Sequence, residues 1–239
     1  MSRFDYYRPN AMPPVVKNLI IINAIVFFAQ LMLDSQYNIT DNFLTLAPLV
    51  PKGLLQYLPE GFRTFQPYQI ATHMFTHGNF GHILFNMFSL WTFGKLLETV
   101  WGPKRFLLFY LACGVGAALM HLAIQYYRCT ELLQAAQAND MAGVERYQGA
   151  LAGAVGASGA IMGLFAAFAF LFPNTELFIM FIPVPIKAKW VVLLMAAYDV
   201  LGGLGVTNDN IAHFAHLGGA LTGFIIVLFW QKTNRRQLY

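Results

Sequence analysis

The chain has 239 residues, 57% of them hydrophobic and only 11% charged, against about 25% charged in an ordinary soluble domain. That composition excludes a solvated globular fold and points to a surface that faces lipid. The net charge of +4 is spread along the chain with no basic patch interleaved with aromatics, which argues against a nucleic-acid partner.

A membrane span needs ~20 apolar residues, and the pattern predicts six such segments in chain order: Leu19–Leu33, His82–Leu97, Phe106–Tyr127, Ala150–Phe172, Trp190–Leu204 and Ile211–Trp230. The first follows Arg3, Arg8 and Lys17 and has no small-x-small cleavage site before Asp34, so it reads as a retained span. Asp34 to Gly81 is too apolar for a solvated loop and too interrupted to span. It is expected to be a partly embedded outer loop with short interfacial helices. Arg128–Gln148 reads as a polar outer insertion forming a surface helix, and Phe181-Ile182-Pro183-Val184-Pro185 as a rigid connection. Asn23, Gln30, Asn86 and Asp199 interrupt the weaker spans, so those helices are expected to turn a polar side toward a protein interior.

The expected fold is an all-α membrane protein, a bundle of six transmembrane helices. Residues 1–17 form a short cytoplasmic N-terminus, 18–230 the six-span core and 231–239 a short cytoplasmic tail, with no soluble domain on either side. An even number of spans puts both termini on one side. That side would hold Arg3, Arg8, Lys17, Lys95, Lys104, Arg105, Lys187, Lys189, Lys232, Arg235 and Arg236. The other would hold only Lys52, Arg63, Arg128 and Arg146. The bias predicts cytoplasmic termini and residence in the cell (inner) membrane. Cys113 and Cys129 lie apart along one predicted span and its outer end, with no disulfide or metal-ligand pattern.

Ser158 lies in Gly156-Ala157-Ser158-Gly159 and His216 in Ala215-His216-Leu217-Gly218-Gly219, each inside an apolar segment. Placing a hydroxyl and an imidazole in lipid is costly and calls for a reason, and nucleophilic catalysis supplies one. Serine and glycine also mark plain helix contacts, and Gly159-x-x-x-Gly163 and Gly219-x-x-x-Gly223 are such small-residue pairs. Those same pairs would bring the fourth and sixth segments close enough for a Ser158–His216 hydrogen bond. Gly153, Gly156 and Gly159 would let backbone N–H groups approach an oxyanion. His82 and Asn86 are four apart and share a helix face, and both can donate hydrogen bonds. The bland alternative for that pair is a helix cap and an interhelical tether.

Six histidines raise a metal reading with His82, His213 and His216 as ligands, but no carboxylate neighbours them in sequence and no His-Glu-x-x-His occurs. No metal and no cofactor is therefore expected. Asp199 stands alone in the fifth segment and reads as an internal tether near Tyr198.

At His77-Gly-Asn-Phe-Gly-His82-Ile-Leu-Phe-Asn86, Gly156-Ala-Ser158-Gly159 and Ala215-His216-Leu-Gly-Gly219, and at Glu98-Thr-Val-Trp-Gly102, the chain resembles the rhomboid intramembrane serine proteases. The resemblance implies a Ser158–His216 dyad without an acidic third member. It also implies an oxyanion hole from His82, Asn86 and the Ser158 N–H, with close backbone packing at Gly156, Gly159 and Gly219. Substrates would be single-pass transmembrane proteins cut through an acyl-enzyme in the bilayer. Two departures stand out: Tyr68-Gln69 where many bacterial members carry Trp-Arg, and Met162 where many carry a tyrosine that stacks on the histidine. Some other group must then orient the imidazole. The alternatives are an inactive rhomboid-like protein that binds transmembrane helices, and a small channel with a polar pathway.

Overall fold

The computed structural model describes residues 12–178, 184–205 and 211–233. The predicted rigid connection at 181–185 falls partly outside these residues, and the ends at 1–11 and 234–239 do so entirely. In chain order the helices are α1 (Pro14–Tyr37), α2 (Gln69–Thr72), α3 (Phe80–Ser89), α4 (Lys95–Trp101), α5 (Pro103–Gln137), α6 (Met141–Tyr147), α7 (Ser158–Leu171), α8 (Ala188–Gly203) and α9 (His213–Thr233). Between α7 and α8, β1 (Glu176–Leu177) pairs antiparallel with β2 (Ile186–Lys187).

Large apolar side chains point outward along several helices: Ile25, Phe28 and Leu31 on α1, Phe85 and Phe88 on α3, Leu193 and Leu194 on α8, Ile225 and Phe229 on α9. Contiguous apolar surface on this scale suits lipid and not water. The polar residues of the same helices turn the other way, and Asn23, Gln30, Asn86 and Asp199 are all buried. Three helices, α1, α5 and α9, are long and apolar enough to cross a membrane, and α7 is a shorter apolar helix. Residues 80–101 are helical throughout, with a π-turn at Leu90–Gly94 joining α3 to α4.

The centre of the molecule is built from α5, α7 and α9, with α9 packed against both others. Small residues allow it. A Cβ on Gly218 of α9 would stand 2.8 Å from the Gly116 carbonyl of α5, and one on Gly223 would stand 2.7 Å from the Gly163 carbonyl of α7. Without a solvophobic force between helices in lipid, such backbone approach is what drives their association. Around this centre the core is filled by Leu90, Leu97, Trp101, Phe106, Phe109, Tyr110 and Leu164.

Two predicted segments differ from the structure. The Ala150–Phe172 run is not one helix, because α7 begins only at Ser158 and has 14 residues. Upstream, Ala154 exchanges backbone bonds with Leu46, Gly156 adopts φ +127°, and the Gly156 N–H donates to the His73 carbonyl at 2.8 Å. Those backbone groups serve the outer loop, so they cannot serve a helix. The third span is longer than predicted: α5 runs 35 residues and takes in the first half of the supposed surface insertion. Its extension is amphipathic, burying Cys129 and Leu132 against Leu54 and Ala150. The rest of the insertion is α6, whose start is capped by the Asp140 side chain accepting from Gly143 N–H at 3.1 Å.

The loop from residue 38 to 79 is ordered by buried side-chain amides. The Gln69 carbonyl oxygen accepts from Gln66 N–H at 2.9 Å and Ala47 N–H at 3.2 Å. Gln30 of α1 accepts from His77 N–H at 3.1 Å and donates to the His77 carbonyl at 3.2 Å. The departure at Tyr68-Gln69 therefore leaves a residue that pins the loop from inside.

Candidate active site

Ser158 is the first residue of α7, where backbone N–H groups have no intrahelical acceptor. His216 lies in the first turn of α9. Gly159 and Gly219, next to Ser158 and three residues after His216, pack backbone to backbone at the crossing of the two helices. The result is a hydrogen bond of 2.8 Å between His216 Nε2 and Ser158 Oγ, across 58 residues of sequence.

His82 lies in the first turn of α3, and the helix is capped by Asn79, whose side-chain oxygen accepts from His82 N–H at 2.8 Å. The cap role that sequence allowed for His82 thus falls to Asn79. The Gly78 N–H points to His82 Nδ1 at 3.4 Å, which makes Nδ1 the acceptor and leaves a proton on Nε2. That Nε2 faces the space above Gly156: a Cβ there would lie 2.8 Å from His82 Nε2 and 3.5 Å from Ser158 Oγ. One turn along α3, Asn86 is buried and its Nδ2 has no hydrogen-bond partner among the described residues. A buried amide donor without an acceptor is costly, at about 1–3 kcal/mol, and it is the state expected of a donor reserved for a ligand.

His77, in the loop before α3, packs edge-on against His82 at 5.1 Å between ring centroids. Burial, reinforced by the neighbouring His82, pushes its pKa down to about 4, so the ring is neutral. A small pocket opens beside Ser158, lined by His73, Met74, Gly114, Ala117, Gly156 and Ala215.

One member of this cluster was not expected from the sequence. Asp199 of α8 is buried, and its Oδ1 lies 3.0 Å from His216 Nδ1 and 2.9 Å from His213 Nδ1. The supposed solitary tether of the fifth segment therefore sits directly behind the imidazole that faces Ser158. The signal was present, since a carboxylate in an apolar segment must find donors. Its donors belong to the next helix, where spacing within one segment could not reveal them. Among the described residues no group of three or more His, Cys, Asp or Glu side chains is arranged to hold a metal ion. Cys113 and Cys129 are both buried free thiols.

Apolar helices with lipid-suited surfaces, bringing a half-buried hydroxyl into contact with a half-buried imidazole, define a helical membrane protein with a hydroxyl–imidazole site between its helices. Residues 64–232 match the Rhomboid domain, and the chain belongs to the rhomboid family. It is 28% identical over 198 residues to rhomboid protein 1, mitochondrial, of Saccharomyces cerevisiae, covering 77% of this chain and 51% of that protein. It is 31% identical over 172 residues to the putative rhomboid protease YdcA of Bacillus subtilis, covering 71% of this chain and 70% of that one. It is 28% identical over 223 residues to the rhomboid protease AarA of Providencia stuartii, covering 87% of this chain and 69% of that one. The chain thus spans about half the length of the yeast relative.

Proposed function

We propose that this chain is an intramembrane serine endopeptidase whose six spans (α1, the 80–101 run, α5, α7, α8 and α9) enclose Ser158 as nucleophile and His216 as general base and acid. Both termini lie in the cytoplasm, and the substrates are transmembrane segments of single-pass proteins. The observation that carries the reading is the 2.8 Å contact between His216 Nε2 and Ser158 Oγ at the N-terminus of α7.

Chemistry follows from that contact. His216 Nε2 takes the Ser158 hydroxyl proton as Oγ bonds to the scissile carbonyl carbon, whose oxygen becomes an oxyanion. His82 Nε2–H, Asn86 Nδ2–H and the Ser158 N–H are the donors that would receive it. The tetrahedral adduct collapses, the C–N bond breaks, and His216 gives its proton to the leaving amine. Water then loses a proton to His216 and attacks the acyl-enzyme ester. Ser158 Oγ leaves and recovers the proton.

The test is covalent labelling with a fluorophosphonate. Labelling of the purified wild-type chain at Ser158, absent in Ser158→Ala and His216→Ala, is the expected result, together with cleavage of a panel of single-pass helices. A folded wild-type chain that binds such helices but neither labels nor cuts would establish the inactive rhomboid-like alternative.

A further inference from the structure

A catalytic imidazole needs its proton on the right nitrogen. Neutral histidine carries one proton, and only the form with Nδ1–H leaves Nε2 free to accept from a serine. In this chain the choice is made from behind. Asp199 Oδ1 accepts at 3.0 Å from His216 Nδ1, while His216 Nε2 meets Ser158 Oγ at 2.8 Å on the opposite edge of the ring. The geometry points to Asp199 as the positioning residue of the Ser158–His216 pair, with His213 holding its carboxylate in place. This rests on the proteolytic reading above and supplies the orienting group that Met162 does not.

The second histidine braces the carboxylate. His213 and His216 are three apart on α9 and so share a face, and both direct Nδ1 to the same oxygen of Asp199. The carboxylate is buried on a helix whose other side presents Trp190, Leu193, Leu194 and Leu201 outward. With two donors on Oδ1 its rotamer is fixed, and through it the ring plane of His216. Room for His213 is made by Gly202 of α8, where a Cβ would overlap the His213 ring. The end of α8 is in turn held by Arg128 of α5, whose guanidinium donates to the Gly203 carbonyl and lies 5.1 Å from the centroid of the Phe214 ring. The ionisable groups facing His216 are Asp199 from α8, His213 from its own helix and His82 from α3. Of these only Asp199 brings a negative charge. It stabilises the imidazolium that forms as Ser158 loses its proton.

The experiment compares wild type, Asp199→Asn and Asp199→Glu as full chains in proteoliposomes, reading kcat, KM and fluorophosphonate labelling. Asp199→Asn should lower kcat strongly with KM unchanged. The ceiling is about 10⁴-fold, the loss when the carboxylate of a serine-protease triad becomes an amide. Asp199→Glu should recover part of kcat. In the unaltered chain, ¹⁵N NMR of His216 should find Nδ1 protonated and Nε2 bare, a readout that stands even where a variant does not fold. If wild type labels and cleaves, an Asp199→Asn chain with unchanged kcat overturns the assignment and leaves the protease reading intact. A His216 with its proton on Nε2 does the same. A wild type that neither labels nor cleaves removes the protease reading itself.

Discussion

Gly219 of α9 lies against the backbone of Gly159 on α7, so close that a Cβ on Gly219 would overlap the Gly159 carbonyl. The contact falls one residue from Ser158 and three from His216, so the spacing of the reacting pair is set by two missing side chains. Gly219→Ala is expected to push the helices apart, costing about 1–3 kcal/mol of stability as overpacking does and lengthening the Ser158–His216 bond. The checks are a lowered Tm with a fall in fluorophosphonate labelling. Leu221→Ala, at a half-exposed outward position of the same helix, should leave labelling unchanged.

Asn86→Ala and His82→Ala should each reduce kcat with little change in KM, since their donors would meet charge that develops only in the transition state. A single donor is worth about 10²–10³-fold, and redundancy with the Ser158 N–H sets the lower end. Steady-state kinetics on a reconstituted substrate decide it. A matched rise in KM would mark both as structural.

Ser158→Ala and His216→Ala are expected to abolish turnover while leaving the fold intact. Because hydroxyl and imidazole act as one unit, the double variant should be little worse than either single one. Multiplied losses in the double variant would show that the two groups work separately.

At the opposite end of the bundle, both oxygens of buried Glu98 on α4 accept from the start of α1: Val15 N–H at 2.9 Å and Val16 N–H at 2.8 Å. Removing the carboxylate leaves two donors of a helix N-terminus without partners, each costing about 1–3 kcal/mol. Glu98→Ala should lower Tm clearly and Glu98→Gln, which keeps one acceptor, less so. Activity per folded molecule should be retained in both, as measured by labelling stoichiometry.

The residues proposed for chemistry were legible because short-range grammar marks them: glycines around Ser158 and His216, and a four-residue step from His82 to Asn86. The small-residue spacing also foretold the α7–α9 contact. Asp199 was not legible, because its meaning depends on which neighbour its helix packs against, and hydropathy is silent on that. The late start of α7 was hidden for a related reason. Residues 150–157 are as apolar as a span, but Ala154 and Gly156 give their backbone bonds to Leu46 and His73. Side-chain hydropathy does not report where backbone hydrogen bonds go. The extension of α5 escaped notice because its buried face, Cys129 and Leu132, is covered by the loop helix at Lys52–Tyr57, a partner 70-odd residues away in sequence.

The short α7 has a consequence for the hydrolysis proposed above. Fourteen residues rise about 21 Å, against a hydrocarbon layer of ~30 Å. A bilayer around this helix leaves roughly a third of its depth occupied by non-helical chain, with Ser158 at the floor of that zone. Non-helical backbone at such depth is tolerated only where protein or water surrounds it. On the proposed proteolytic reading, the break that stops the helix at Ser158 is also where the second reactant of deacylation, water itself, would descend from one face without a separate channel.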